Sequence, residues 1–152
     1  MSHESRHVGY LLSDDPALLN VTAIHAYLTT SYWAAGIPHD VVARSLANSL
    51  CLGIYAPDGP QVGLVRVVTD SATFAYFCDV YVLAPHRGRG LSKAALALVS
   101  THPQLQNIRR QHLVTQDAHG LYANFGFTPL TSPERHMEKR DPTVYSRAPA
   151  AP

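Results

Sequence analysis

The sequence predicts a single α+β domain, in which a central mixed, mostly antiparallel sheet carries helices on both faces. Three observations lead to this prediction. The chain has 152 residues, 46% of them hydrophobic, which suffices for one core without disulfide or metal support. Helical and strand-like spacings alternate along it, and three consecutive strands near the middle are joined by short turns. We expect residues 1–145 to form the domain and residues 146–152 to be a flexible tail.

The first third of the chain is predicted to contain a strand and two helices. Val8–Leu12 has the composition of a short strand. The two helices are predicted over Pro16–Ser31 and Asp40–Leu50, and Gly36–Pro38 breaks the chain between them. Their inward positions recur at helical spacing: Leu18, Val21, His25, Leu28 and Tyr32 in the first helix, Val42 and Leu46 in the second.

The middle of the chain is predicted to be an antiparallel meander. Its three strands cover Cys51–Ala56, Gln61–Val68 and Thr73–Leu83. Residues 57–60 (Pro-Asp-Gly-Pro) and residues 69–72 have the composition of turns and separate the strands.

The second half is predicted to add two helices and up to three extended segments. A helix begins at Leu91 and ends before His102–Pro103. The further elements follow in order: a strand at His112–Gln116, a helix at Ala118–Phe125 terminated by Gly126, an extended segment from Phe127 to Leu130, and a candidate closing strand at Arg135–Lys139.

Composition argues against several classes of partner. The net charge is +1 and no long run of Lys or Arg occurs, so we expect no nucleic-acid partner. No apolar stretch has the length of a membrane span or of a secretory signal, so we expect a cytoplasmic protein without a membrane partner. Cys51 and Cys78 are then predicted to be reduced, buried thiols. The nine histidines lack metal-ligand spacing, and we predict no metal.

One segment carries a specific chemical signal. The predicted strand through Val80–Val82 continues into Arg87-Gly88-Arg89-Gly90-Leu91-Ser92 and then into a helix rich in alanine and leucine. A strand that passes through glycines into a helix N-terminus presents several backbone N–H groups in one direction, next to the positive end of the helix dipole. This arrangement predicts a site for the phosphate oxygens of a cofactor. A nucleoside-triphosphate enzyme is not favoured, because no Gly-Lys-Ser or Gly-Lys-Thr follows the glycines.

The order of elements and two motifs resemble the GNAT superfamily of N-acetyltransferases over about residues 8–139. The segment from Arg87 to Ser92 resembles the acetyl-CoA pyrophosphate loop of that family, with Ser92 in place of its last small residue. The segment from Leu121 to Phe127 resembles its tyrosine-x-x-x-glycine-phenylalanine motif. Thr115 occupies the position where many members have an asparagine. The resemblance implies a GNAT-like fold and acetyl-CoA as co-substrate. It assigns these residues to the cofactor: Val80, Tyr81, Val82, Arg87, Gly88, Arg89, Gly90, Leu91 and Ser92.

The catalytic candidates follow from the needs of acyl transfer to an amine, which are a proton donor to the leaving thiolate and a base for the amine. The motif makes Tyr122 the candidate acid; the alternative is a core tyrosine on an apolar helix face. Asp79 is the candidate base, because a carboxylate inside an apolar strand is costly unless it is paired or used. Alternatively, Asp79 is bonded to a neighbouring strand or arginine, or holds a water that acts as the base. His119 is a further candidate, with a loop-stabilising role as its alternative.

The resemblance places the acceptor between the first two helices and the central strands. There we expect Trp33, Phe77 and Asp79 to bind a small molecule that carries a primary amine, together with Tyr27, Tyr32 and Ile37. Ordinary core packing is the alternative for these aromatic residues. The predicted function is therefore acetyl transfer from acetyl-CoA to that amine, by direct attack in a ternary complex. The alternatives are a non-catalytic acetyl-CoA sensor or an interaction module; the chain could form a homodimer.

Overall fold

A computed structural model of the chain describes residues 1–147. Its six strands form one sheet in sequence order, and neighbouring strands are antiparallel except for the last pair, which is parallel. The strands are β1 (Glu4–His7), β2 (Tyr10–Ser13), β3 (Leu50–Tyr55), β4 (Gln61–Thr69), β5 (Phe74–Val82) and β6 (Arg110–Leu113). The middle of the sheet is thus the predicted antiparallel meander.

Two hydrophobic clusters lie on opposite faces of the sheet, each covered by two helices. The helices are α1 (Val21–Leu28), α2 (His39–Ala47), α3 (Leu91–Ser100) and α4 (His119–Ala123). Helices α1 and α2 pack on one face with Cys51, Leu64 and Tyr81. Helix α3 and Tyr122 of α4 pack on the other with Leu52 and Val65. The prediction of a mixed sheet with helices on both faces is confirmed. None of the described helices is long and apolar enough to cross a membrane.

The N-terminal predictions need three corrections. Val8 and Gly9 form the turn between β1 and β2, with φ angles of 49° and 82°, as in a type I′ hairpin. The predicted first helix is divided, because the Asn20 side chain caps a new helix by accepting the Ala23 N–H at 3.0 Å. Helix α2 ends at Ala47, and Leu50 already belongs to β3.

The C-terminal predictions also change. The predicted strand at His112–Gln116 is shifted to Arg110–Leu113, and α4 ends at Ala123. Neither Phe127–Leu130 nor Arg135–Lys139 is a strand; Pro133–Arg135 instead forms one turn of 3₁₀ helix. Prolines in this region lack the backbone N–H that a strand would donate. Its side chains are also mostly exposed, so no apolar face favours a strand. Of the predicted tail, residues 148–152 lie outside the described residues.

An irregularity in β5 shapes the centre of the sheet. Leu64 pairs with Tyr81 but Arg66 pairs with Cys78, so that β5 has one residue more than β4 between these pairs. The extra residue bulges at Asp79, which has a left-handed φ of 48°. In addition, β5 pairs with β6 only from Phe74 to Phe77. The later part of β5 therefore has no strand partner on this side among the described residues, and the sheet opens there.

Candidate functional site

The glycine loop presents unused backbone donors at the start of α3. Gly90 is the N-cap of this ten-residue helix, with φ 73°, and Gly88 has φ 78°. Within residues 1–147, the N–H groups from Gly88 to Ser92 donate to no protein acceptor. A Cβ at Gly88 would meet nothing within 4 Å, so the loop is open to an approaching ligand. Such amides at a helix N-terminus fit the oxygens of a diphosphate.

The two arginines of the loop brace its backbone. Arg87 donates from Nε to the carbonyl oxygen of Val82 at 2.8 Å. Arg89 donates from Nη1 to the carbonyl oxygen of Pro85 at 3.1 Å. Both residues are exposed. Their positive charge thus remains near the open amides, while these hydrogen bonds hold the loop in shape.

The first hairpin holds the loop from outside. His7 Nε2 lies 2.9 Å from the carbonyl oxygen of Arg89, which can only accept, so Nε2 carries the proton. The hydroxyl of Tyr10 lies 2.8 Å from Nδ1 of His86 at the start of the loop. Neither histidine is predicted from the sequence, because their role depends on contacts between segments about 80 residues apart.

The open part of β5 begins beside the loop. Val80, Tyr81 and Val82 belong to the stretch that has no partner on the β6 side. The main-chain groups that face this side are therefore available to an extended ligand arm, except for the Val82 carbonyl oxygen, which accepts from Arg87. The Tyr81 ring stacks on Tyr27 of α1 with centroids 3.9 Å apart, and burial raises its pKa. Tyr81 and Tyr27 thus pack as core residues, and the main chain is what β5 offers to a ligand.

Tyr122 lies on α4, on the α3 side of the sheet. Its side chain is buried against Phe127, and its hydroxyl makes no hydrogen bond within the described residues. Burial, with smaller effects of Tyr32 and Asp117, raises the pKa of Tyr122 to about 12. The phenol is therefore protonated at neutral pH. Because a thiol is the stronger acid, with a pKa of about 8.5, complete proton transfer from this phenol to a thiolate is unfavourable. Such a phenol is suited to donating a hydrogen bond to a developing negative charge.

Asp79 is buried and both of its carboxylate oxygens are engaged. Oδ2 accepts from Arg66 Nε at 2.6 Å, and Oδ1 accepts from Trp33 Nε1 at 2.8 Å. Arg66 Nη1 also donates to the Ser49 hydroxyl at 3.0 Å. Burial is the largest single effect and lowers the pKa of Arg66, but the charge and hydrogen bond of Asp79, together with Cys78 and Cys51, outweigh it, so the pKa lies above its usual value. This network corresponds to the alternative in which Asp79 is bonded to an arginine.

Arg66 stands between two thiols. It pairs across the sheet with Cys51 on β3 and with Cys78 on β5. Burial raises the pKa of Cys51 to about 12 and that of Cys78 to about 11, although the charge of Arg66 partly opposes this. Arg66 is not among the residues predicted from the sequence. Its signal was present, since it is the only charged residue in the apolar strand from Gln61 to Val68.

The structure separates the three predicted acceptor residues. Trp33 and Asp79 are in contact, but Phe77 lies on the other face of the sheet and packs edge-on against Phe127 at 5.4 Å. Strict alternation would have put positions 77 and 79 on one face. The bulge at Asp79 breaks that alternation and turns its carboxylate towards α1 and α2. The expectation that Phe77 shares a pocket with them is therefore corrected.

Tyr32 also reaches the opening of the sheet. Its hydroxyl accepts the backbone N–H of Gln116 at 3.3 Å, and its ring meets Trp33 edge-on at 5.0 Å. Thr115 accepts the Ala118 N–H at 3.1 Å and so shapes the turn before α4. His119 is exposed at the first position of α4 and makes no side-chain hydrogen bond within residues 1–147.

Comparison with known proteins identifies the family. A family model described as an acetyltransferase (GNAT) domain matches residues 48–129, more than half of the chain. The chain belongs to the GNAT acetyltransferases. A Gibberella zeae protein named as an acetyltransferase is 38% identical, over 74% of this chain and 75% of that protein. The chain is therefore an acyltransferase enzyme.

Solved structures agree with this assignment. A GNAT-family acetyltransferase from Xanthomonas campestris pv. campestris is 47% identical, with a TM-score of 0.89, and the match covers 93% of this chain and all of that one. An acetyltransferase from Clostridium acetobutylicum, solved with acetyl-CoA, has the same fold at 14% identity, with a TM-score of 0.61. That match covers 86% of this chain and 94% of that one.

Proposed function

We propose that this GNAT protein transfers the acetyl group of acetyl-CoA to the primary amine of a small molecule, by direct attack in a ternary complex. One observation carries the proposal: the unused amides from Gly88 to Ser92 lie at the N-terminus of α3, beside the end of β5 that has no partner on the β6 side. A diphosphate fits the amides, and an extended thiol-bearing arm fits the opening in the sheet. The acetyl-CoA in the Clostridium acetobutylicum structure supports this choice of co-substrate.

The reaction needs few groups from the protein. Acetyl-CoA supplies a thioester carbonyl; the amine nitrogen bonds to its carbon, the carbon–sulfur bond breaks, and the amine loses a proton as the sulfur gains one. In the proposal, the backbone N–H of Val80 polarises the carbonyl oxygen. The Tyr122 hydroxyl donates a hydrogen bond to the departing sulfur.

The proposed role of Asp79 is positioning. Its two oxygens already accept from Arg66 and Trp33, so it fixes the bulge and the indole that borders the acceptor site. A carboxylate with both oxygens engaged is a poor proton acceptor. In the proposal, a water molecule takes the proton from the amine, and the departing thiolate gains its proton from solvent.

Calorimetry with acetyl-CoA tests the cofactor site. Gly90→Asp puts a negative charge at the N-terminus of α3, at a residue with positive φ, and should weaken binding by at least about tenfold. Gly59→Asp is the matched control, because Gly59 also has a positive φ but lies in the turn between β3 and β4. Equal binding by the wild type and Gly90→Asp would refute the assignment.

A panel of primary amines tests turnover. Release of free CoA thiol that depends on an amine supports the transferase. A chain that binds acetyl-CoA but releases no thiol with any amine would support the sensor alternative instead.

A further inference from the structure

We infer that a basic groove at the outer edge of β6 binds an extended, acidic peptide segment of another protein. The groove lies between β6 and residues 125–136 and has a volume of about 840 Å³. Its basic side chains are Arg109, Arg110, His112, Arg135 and His136. This surface is separate from the glycine loop, so the inference does not depend on the proposed acetyl transfer.

The charge of the groove is one-sided. With histidines counted as neutral, the groove carries three positive charges and no acidic lining residue, whereas the whole chain has a net charge of only +1 on the same count. Within residues 1–147, the ion pairs involve Arg66, His102 and Arg147, so the arginines of the groove have no carboxylate partner there. An anionic ligand would relieve this like-charge crowding.

The contacts between the basic groups point the same way. Arg110 Nη1 lies 3.2 Å from His136 Nε2 and donates to it, so a guanidinium faces an imidazole where a carboxylate would be usual. The His112 ring stacks on His136 with centroids 5.9 Å apart and lies 5.7 Å from Tyr76. Burial, His136 and Arg110 together lower the pKa of His112. The positive charge of the groove therefore lies on its three arginines.

The backbone of β6 favours a polypeptide over a simple anion. β6 is the last strand of the sheet, and its outer edge makes no backbone hydrogen bond to the rest of residues 1–147. Unpaired N–H and C=O groups of an edge strand can pair with an extended chain. Arginines alone could simply protect such an edge from pairing. However, Arg135 and His136 line the same groove but do not belong to the edge strand, so protection of that edge does not account for them.

Fluorescence anisotropy with labelled decapeptides tests the inference. The probe alternates Glu and Thr; one comparison peptide alternates Lys and Thr, and another is the Glu-Thr peptide with every backbone nitrogen methylated, which keeps the charge but lacks the N–H donors on both sides of the strand. We expect the Glu-Thr peptide to bind most tightly, with weaker binding at higher salt. The triple variant Arg109→Glu, Arg110→Glu, Arg135→Glu should lose at least about tenfold in affinity. The control Arg6→Glu, Arg44→Glu, Lys93→Glu makes the same charge change at exposed positions outside the groove.

Hydrogen exchange supplies a second measurement on the unmodified chain. Binding of the Glu-Thr peptide should slow exchange at the amides of residues 110–113. If the triple variant does not fold, the double variant Arg110→Gln, Arg135→Gln takes its place in the same binding measurement. Equal binding of the N-methylated peptide, tighter binding of single-stranded RNA in the same groove, binding of inorganic phosphate alone, or binding unaffected by the groove variants would each overturn the inference.

Discussion

Trp33 donates its indole N–H to Asp79 at 2.8 Å and thereby joins the loop after α1 to the bulge in β5. These two residues are 46 positions apart in the chain. The bond depends on the bulge, since only the extra residue in β5 places the Asp79 carboxylate on the α1 side of the sheet. Asp79 therefore links the loop after α1 to the part of β5 that has no partner on the β6 side.

Replacing Asp79 should destabilise the fold. Asp79→Asn keeps the shape but leaves the largely buried Arg66 without its counter-charge, and we expect unfolding free energy to fall by about 2–4 kcal/mol. Urea denaturation measures this change. Asp141→Asn is the control: it removes an exposed ion pair with Arg147 and should leave the unfolding midpoint nearly unchanged. The emission of Trp33, the only tryptophan, should change in the first variant and not in the second. Unchanged stability with lost turnover would instead favour Asp79 as the base.

Removing His7 should weaken the cofactor loop. His7→Ala loses the hydrogen bond to the carbonyl oxygen of Arg89, which leaves the amides of the loop less well ordered. We expect the dissociation constant for CoA to rise about three- to tenfold, measured by calorimetry. His39→Ala, an exposed histidine of α2, should have no effect. An unchanged affinity in His7→Ala would show that the loop holds its shape without the first hairpin.

Tyr122→Phe should slow turnover without weakening acetyl-CoA binding. The phenylalanine keeps the buried ring beside Phe127 but cannot donate a hydrogen bond to the sulfur. We expect kcat to fall about 10- to 100-fold while the dissociation constant stays within about twofold. Steady-state assays of thiol release and calorimetry give the two values. The surface variant Tyr145→Phe should match the wild type in both. Full activity of Tyr122→Phe would instead show that Tyr122 serves only to pack the core.

The free energy of unfolding should fall as the pH is lowered, because His112 becomes protonated more readily in the unfolded chain. Its pKa in the folded chain is lowered by burial, His136 and Arg110, whereas in the unfolded chain it is about 6.5. The unfolded state therefore binds more protons between these two values. The contribution of His112 is fully present above about pH 6.5 and is lost as the pH falls towards its folded value. Urea denaturation from pH 5 to 8 measures the slope, and His112→Gln should flatten it. The same slope in the variant would assign the effect to another group.

The sequence predicted those parts of the molecule that local signals determine. The glycines at 88 and 90 mark the loop, because their positive φ angles need glycine. The meander and the helix after Leu91 follow from apolar spacing, and the family match agrees with the two motifs. Tyr122 is placed on a buried helix by the same spacing.

The remaining features depend on contacts that no local pattern reports. Val8 is β-branched and suggests a strand, yet it occupies a turn at positive φ, while the exposed strand β1 has no apolar alternation. The bulge at Asp79 moves the carboxylate to the face opposite Phe77, and only a cross-strand register reveals the extra residue. The basic groove likewise joins side chains of β6 to residues more than 20 positions later.

The two thiols beside Arg66 have a practical consequence. With pKa values of about 12 and 11, both stay protonated near neutrality and are slow to react with alkylating reagents. Iodoacetamide should therefore label the buried Cys51 only as fast as the centre of the sheet opens, whereas Cys78 is only half-buried. The labelling rate of Cys51 then measures local opening of β3, β4 and β5, without any engineered probe.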